Sequence, residues 1–285
     1  MNVNDYFKYK RRVVVKIGSS SLQHAQTGNT DYIKIEKLVR ELCDLRNRGM
    51  DVCLVSSGAV SVGRQAIGME ERPVNLSTKQ ACAAVGQARL MMTYQKMFAE
   101  YNQTAAQVLI TKYTFQQEMS RKNARNTFDE LFRMGVIPVV NENDTVATHE
   151  IEFGDNDTLS ALVTSLVDAD LLILLSDIDG LYTDDPRKNP SATLVERVTQ
   201  MDSVYYSMAK ESTGSDVGTG GMTTKMEAAR IVTGSGADMI IANGKDVGII
   251  HESIEGEFRG TLFAAQEKGT FDMNDYLRES GENNI

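Results

Sequence analysis

The stretch VVVKIG at residues 13–18 decides the fold, because it joins a run of β-branched residues to a lysine and a glycine. Consecutive β-branched residues predict a strand buried on both faces, which is typical of a parallel sheet covered by helices. Residues 31–49 follow with apolar side chains at helical spacing, with Asp31 as a cap and Gly49 as the stop. The chain therefore opens with a strand, a turn of small residues and a helix.

The same order recurs along the chain. Further strands are predicted at 51–56, 105–110, 136–140, 171–175 and 239–242, separated by helical patterns. This alternation predicts an α/β fold, a three-layer αβα sandwich around a mostly parallel sheet. Small antiparallel hairpins are predicted within residues 145–153 and near Gly260.

The domain organisation follows from the lack of any repeat, low-complexity tract or clear linker. We predict one domain over residues 1–270, with an N-terminal lobe of about residues 1–168 and a C-terminal lobe of about residues 169–270. Residues 271–285 are predicted as a polar C-terminal tail.

Composition excludes several classes of protein. The 30 basic and 39 acidic residues give a net charge of -9, which disfavours non-specific attraction to nucleic acid or anionic membranes. The 3 cysteines show no paired spacing, and the 3 histidines have no ligand or triad partner by spacing, so no disulfide framework or metal site is predicted. With no signal peptide or apolar span, we expect a cytoplasmic protein.

Two turns of small residues follow predicted strands. Lys16 and Gly18 come at the end of the first strand, and Ser57-Gly58 comes at the end of the second. Backbone N–H groups in such turns can approach an anion, and ligands of open α/β sheets collect beyond the carboxyl ends of strands. A solvated lysine and an ordinary capped turn are the structural alternatives.

Two polar segments occupy similar places. Asn141–Asp144 follows a predicted strand, and Gly154–Asp157 lies at a predicted helix start. An Asx turn and a helix cap explain them as local structure. The functional alternative is that they hold an amino group and orient cations.

A glycine-rich loop, TGGMTTK at residues 219–225, precedes a helical pattern and offers backbone donors, two hydroxyls and a lysine. A surface loop is the structural alternative. The loop lacks the spacing of a P-loop and does not follow a strand as a dinucleotide fingerprint does.

Together and in this order, these motifs resemble the amino acid kinase family over nearly the whole chain, and within it the members that phosphorylate free glutamate. The segments that carry the resemblance are VKIGS at 15–19, VSSGAV at 55–60, PVVNEND at 138–144, FGDND at 153–157, LSD at 175–177 with GLY at 180–182, and residues 218–225. The resemblance implies ATP-dependent phosphorylation of the side-chain carboxylate, the first step of proline biosynthesis.

The resemblance also implies roles for individual residues. The catalytic residues would be Lys16, Lys225 and Asp157, with Asp157 orienting both lysines. The N-terminal lobe would bind L-glutamate through Ser57, Gly58, Asn141, Asp144 and Asn156. The C-terminal lobe, with Lys16, would bind ATP and its Mg²⁺ through Ser176, Asp177, Thr219, Gly220, Gly221, Met222, Thr223, Thr224 and Lys225. Proline as a feedback inhibitor and a homodimer or homotetramer are further implications.

One departure from the family and two rival interpretations bear on these expectations. Many members continue into a PUA domain of a type associated with RNA binding, whereas this sequence stops soon after the kinase core. Another kinase of the family, acting on acetylglutamate, aspartate or uridylate, would share the ATP half. A nucleotide-binding regulator without catalysis would share the fold alone.

Overall fold

The computed structural model describes residues 7–146, 156–211 and 221–282. Its contacts divide the chain into two compact units, here called unit 1 (residues 1–16 and 154–285) and unit 2 (residues 17–153). This division differs from the predicted lobe boundary near residue 168 because the first strand and the helix over 156–166 both pack within unit 1. The ligands assigned to each lobe remain predictions.

Strands and helices alternate along the described residues. The strands are β1 (Arg12–Ile17), β2 (Asp51–Ser56), β3 (Ala105–Ile110), β4 (Ile137–Glu142), β5 (Leu171–Ser176), β6 (Arg197–Val198), β7 (Asp238–Asn243) and β8 (Gly260–Phe263). The α-helices are α1 (Tyr32–Asn47), α2 (Ala59–Ala66), α3 (Leu76–Glu100), α4 (Lys112–Gln116), α5 (Glu118–Arg133), α6 (Asn156–Leu166), α7 (Ser203–Glu211), α8 (Met222–Gly234), α9 (Ile249–Glu255) and α10 (Met273–Glu282).

In unit 2, strands β3, β4 and β2 lie side by side and run parallel. Strand β4 is buried along its whole length, whereas β3 at the edge alternates between buried and accessible residues. Helices α1, α3 and α5 pack against these strands. Polar residues after β2 and β4 therefore project from the same, carboxyl edge of the unit.

In unit 1, strands β1, β5, β7, β8 and β6 follow one another across the sheet. Strands β5 and β7 pair in parallel, and β5 consists of the buried run LLILLS. Strand β8 pairs with β7 antiparallel and with β6 in parallel. The predicted mostly parallel α/β fold is confirmed, and its antiparallel pair has helix α9 in the connection rather than a tight turn.

Helix starts explain how local sequence sets the elements. Asp31 begins α1 as predicted, with its Oδ1 accepting a hydrogen bond from the Lys34 amide at 3.0 Å. Asn75 precedes α3 as its cap, because Asn75 Oδ1 accepts a hydrogen bond from the Thr78 amide at 2.8 Å and satisfies an unpaired helix donor.

Two predicted segments have other outcomes. The segment predicted as a polar tail contains α10, where the Phe271 and Tyr276 ring centroids lie 5.7 Å apart and Leu277 is buried, so apolar contacts give this segment a packed face. Of the hairpin predicted within 145–153, only Thr145 and Val146 are described, and they lie in a turn. The rest of that hairpin lies outside the described residues.

Candidate active site

An ionic cluster in unit 1 joins three of the predicted residues. Lys16 Nζ contacts Asp157 Oδ1, and Lys225 Nζ donates to Asp157 Oδ2 at 3.0 Å. All three side chains are buried, with Asp157 only 1% exposed. One carboxylate therefore holds two ammonium groups, and the cluster carries one net positive charge.

Three elements bring these charges together. Lys16 is the fifth of the six residues of β1, Asp157 lies in the first turn of α6 and Lys225 in the first turn of α8. Helices α6 and α8 pack against each other, which places their first turns side by side. The N-terminal end of a helix favours a carboxylate, so α6 also supports the charge of Asp157.

The protonation state of Asp157 follows from competing causes. Burial raises the pKa of this carboxyl, but the charges of Lys16 and Lys225 and their hydrogen bonds outweigh burial and lower the pKa below its usual range. Asp157 is therefore ionised at neutral pH. An ion cluster of this kind costs desolvation energy, which favours a functional reason for it.

The start of α8 adds donors beside the cluster. Gly221 precedes the helix in an extended conformation without a side-chain cap, followed by Met222 and Thr223. The Thr224 hydroxyl is 2.8 Å from the Gly221 carbonyl oxygen and 3.4 Å from Asp157 Oδ2. Helix N-termini of this length bind anions. Thr219 and Gly220, also predicted here, lie outside the described residues.

Ser176 and Asp177 lie at the carboxyl end of β5. Ser176 is buried, and its hydroxyl donates to Asp177 Oδ1 at 3.2 Å. The Gly244 amide, just after β7, donates to the Ser176 carbonyl oxygen at 2.7 Å. The structure thus fixes the backbone of Ser176 and leaves the Asp177 side chain at the surface.

In unit 2, the turn of Ser57 and Gly58 joins β2 to α2. The Ser57 amide donates to the carbonyl oxygen of Ile17, the first residue of unit 2, at 3.1 Å, which fixes the start of the turn. Gly58 has a φ of 106°, a left-handed conformation that side chains rarely adopt. A glycine is therefore required where the chain turns from strand to helix.

The other predicted substrate residues are divided between the units. Asn141 is buried at the end of β4, and its Nδ2 donates to Gln87 Oε1 at 2.9 Å. Asp144 is half-buried two residues after β4, whereas Asn156 is half-buried at the start of α6 in unit 1. Binding of one ligand by all of these residues stays a prediction.

Sequence reasoning missed partners that only the fold selects. Gln87 holds Asn141, and Tyr94 shares a 2.8 Å hydrogen bond with the Ser56 hydroxyl. Both missed residues lie on α3, seven positions apart and therefore on one face. The sequence signal that could have identified them is the presence of two polar side chains among the apolar residues of one helix face.

Among residues 7–146, 156–211 and 221–282, no helix is long and apolar enough to cross a membrane. Within the same ranges, no three histidine, cysteine, aspartate or glutamate side chains gather as a metal site.

The fold and the cationic cluster at a helix N-terminus together are typical of an α/β phosphotransferase. The chain belongs to the amino acid kinase family, whose model matches residues 11–243.

Curated relatives and solved structures agree with this assignment. The chain is 51% identical over 266 residues to a glutamate 5-kinase of Carboxydothermus hydrogenoformans, covering 93% of this chain and 71% of the relative. It is 48% identical over 264 residues to a glutamate 5-kinase of Clostridium tetani, covering 93% of this chain and 98% of the relative.

Among solved structures, a carbamate kinase from Giardia lamblia bound to AMP-PNP is similar in fold. It has a TM-score of 0.65 and 16% identity, with 90% of this chain and 99% of the other covered. A UMP kinase from Ureaplasma parvum has a TM-score of 0.62 and 15% identity, with 90% and 99% covered.

Proposed function

We propose that this enzyme transfers the γ-phosphoryl group of ATP to the side-chain carboxylate of L-glutamate, giving L-glutamyl 5-phosphate and ADP. The observation that carries the proposal is the buried cluster in which Asp157 holds Lys16 and Lys225. The choice of glutamate is supported by the names of relatives about half identical to this chain. The reaction would supply proline biosynthesis.

The chemistry needs little from the protein besides positioning and positive charge. An oxygen of the glutamate carboxylate attacks the γ-phosphorus while the bond from that phosphorus to the β,γ-bridging oxygen breaks and ADP leaves. A carboxylate with a pKa of about 4.3 is already ionised at neutral pH, so no general base is required. Catalysis then rests on alignment and on stabilising negative charge.

The two lysines supply that positive charge in our proposal. Each ammonium group has three N–H donors, and in this proposal Lys16 and Lys225 would direct donors to phosphoryl oxygens while they keep their contacts with Asp157. Asp157 holds the two ammonium groups with its two carboxylate oxygens, Oδ1 for Lys16 and Oδ2 for Lys225. The cluster is therefore organised before the reaction, which avoids reorganisation in the transition state.

ATP would bind at the carboxyl end of β5 and the start of α8. Ser176, Asp177, the loop with Thr219 and Gly220, and residues 221–225 form the proposed site, with N–H groups of α8 facing the phosphates. Mg²⁺ would enter with ATP, since it usually binds substrate phosphates and few carboxylates. The Asp157 carboxylate is engaged by two lysines, so the exposed Asp177 is the better candidate for a protein ligand.

Glutamate would bind through the polar residues that follow the strands of unit 2. The turn at Gly58 offers backbone donors, and Asn141 is oriented by Gln87. Ser57 and Asn156 would add polar contacts. Asp144 would pair with the α-ammonium of free glutamate, a contact that an acetylated substrate would lack.

Three further features belong to this proposal. Proline carries a cationic ring nitrogen and would compete for the Asp144 position as a feedback inhibitor. We also propose a homodimer or homotetramer and a cytoplasmic site of action.

The decisive test combines the purified protein with ATP, Mg²⁺, hydroxylamine and a panel of acceptors: glutamate, acetylglutamate, aspartate, carbamate and UMP. Hydroxylamine converts an acyl phosphate into a stable hydroxamate. We expect hydroxamate with L-glutamate only, and only with a divalent metal present. Turnover of another acceptor in preference to glutamate, read as ADP release because phosphorylated UMP forms no hydroxamate, would contradict the proposal.

A further inference from the structure

Asp179 gathers three hydrogen bonds in the turn that follows β5. Its Oδ1 accepts from Asn243 Nδ2 at 2.8 Å, and its Oδ2 accepts from Arg259 Nε at 2.9 Å and from the Tyr182 hydroxyl at 3.2 Å. Asn243 ends β7, and Arg259 directly precedes β8. One carboxylate therefore ties the turn after β5 to two other strands of unit 1.

The backbone of this turn is held by the same two strands. Beyond the Gly244–Ser176 bond near β7, the Leu181 amide donates to the Thr261 Oγ1 of β8 at 2.8 Å. Gly180 leaves no room for a side chain, since an added Cβ would lie 2.4 Å from Thr261 Oγ1 and 3.0 Å from its backbone nitrogen. These contacts hold the turn in one position, and the Asp179 carboxylate adds hydrogen bonds on its solvent-accessible side.

The charge of Asp179 is balanced inside this network. Asn243 Nδ2 and Arg259 Nε donate to different oxygens of the carboxylate. The group is 28% exposed, and Arg259 sets a positive charge beside it. The negative charge therefore faces protein donors rather than a polyphosphate bound nearby.

We propose that Asp179 is a positioning residue for ATP. It does not contact the nucleotide; it fixes the turn that presents Ser176 and Asp177, three and two residues upstream. The inference rests on the proposed assignment of ATP to those two residues.

Three variants separate positioning from general stability. Asp179→Ala removes all three bonds. Asp179→Asn keeps the shape of the side chain and one acceptor oxygen. It loses the negative charge, and its NH₂ group would face the donor groups that the second carboxylate oxygen had accepted from. Asn243→Ala breaks the network from the β7 side and keeps the Asp179 charge.

A matched control is Asp168→Asn, which removes another partly exposed carboxylate of unit 1. Asp168 Oδ1 pairs with Lys268 Nζ at 3.1 Å, outside this network. Its φ of 47° is a left-handed conformation that asparagine tolerates well. This variant loses an ion pair without altering the turn after β5.

The experiment measures the Kd of Mg²⁺-ATP by calorimetry without an acceptor, together with Tm and the KM values for ATP and glutamate. Loss of charge-assisted hydrogen bonds predicts an ATP Kd about tenfold higher or more for Asp179→Ala, with smaller rises for Asp179→Asn and Asn243→Ala. The ATP KM should rise in parallel, while the glutamate KM stays within about twofold. Asp168→Asn should match the wild type.

The outcomes distinguish this inference from the proposed function. An unchanged ATP Kd in folded Asp179→Ala, or in Asn243→Ala where the first variant does not fold, overturns the positioning role. A fall in Tm with equal changes in both KM values assigns Asp179 to stability alone and also overturns it. Wild-type protein that binds ATP but makes no hydroxamate with glutamate refutes the proposed acceptor, while the Kd series still decides the role of Asp179.

Discussion

The hydrogen bonds and ion pairs around the predicted site residues differ between unit 1 and unit 2. In unit 1, one carboxylate and two ammonium groups form an ionic cluster beneath the start of α8. In unit 2, the contacts that hold Asn141 and Ser56 are neutral hydrogen bonds to Gln87 and Tyr94. A neutral bond contributes about 1 kcal/mol net, whereas buried charges often cost as much as their attraction returns.

In the proposed function, this difference corresponds to different tasks of the two regions. A cluster that adds little net stability is explained by a task that needs positive charge, which phosphoryl transfer supplies. Neutral pairs hold side chains in fixed positions at low cost, as a substrate pocket requires. Variants of the two regions should therefore differ in which quantity they change and by how much.

The largest stability effect is expected for Asp157→Asn. The change leaves two buried ammonium groups without a counter-charge, which predicts a loss of about 3–5 kcal/mol in the free energy of unfolding at pH 7. Because the pKa of Asp157 is lowered in the folded state, its contribution is present above the unfolded pKa of about 3.9 and is lost as pH falls through the folded value.

Urea titrations of the wild type and Asp157→Asn from pH 7 down to about pH 2 would check this expectation. The gap between the two curves should begin to shrink below about pH 4, where the unfolded carboxyl takes up its proton, and should go on shrinking as the pH falls toward the lower pKa of the folded state. Asp168→Asn, which removes a partly exposed ion pair, is the control and should cost at most about 1 kcal/mol. A gap that persists unchanged across the acid range would show that charge is not the cause.

The next effect is catalytic. Lys225→Met removes the ammonium group and keeps the length of the side chain, while Asp157 retains Lys16. Loss of a transition-state donor predicts a kcat about a hundredfold lower or more. Lys268→Met, which removes an exposed lysine of the same unit, is the control. A near-normal kcat in the hydroxamate assay would remove Lys225 from the mechanism.

A smaller effect, confined to binding, is expected in unit 2. Asp144→Asn would remove the proposed charge-assisted bond to the substrate ammonium, worth roughly 1.5 to 3 kcal/mol, so the glutamate KM should rise about ten- to a hundredfold. The ATP KM should stay nearly constant, and proline should lose potency in parallel. An unchanged glutamate KM would mean that Asp144 does not hold the ammonium.

The smallest effect is expected for a neutral pair. Tyr94→Phe removes the hydroxyl bonded to Ser56 and should lower the free energy of unfolding by about 0.5–1.5 kcal/mol, with kcat within about twofold. Tyr113→Phe, at an exposed tyrosine of the same unit, should change neither quantity. A large fall in kcat for Tyr94→Phe would contradict the view that this neutral hydrogen bond contributes to stability and not to catalysis.

Much of the fold was predictable because its signals are local. A short run of buried apolar residues such as Leu171–Ser176 predicts a strand directly. The grouping of Lys16, Asp157 and Lys225 was predicted from the resemblance to a known family. Which polar groups pair across the fold was not predictable. Gln87 holds Asn141 from 54 residues away, and no local pattern encodes a partner at that distance.

The clearest test of the central claim, that the side-chain carboxylate of the substrate accepts the phosphoryl group, uses L-glutamate labelled with ¹⁸O in that carboxylate. Attack by that carboxylate leaves a labelled oxygen bridging carbon and phosphorus. Hydroxylamine then attacks the carbonyl carbon and releases phosphate with the bridging oxygen. We predict one ¹⁸O atom in each phosphate released together with hydroxamate. Phosphate without the label would contradict the side-chain carboxylate as the acceptor.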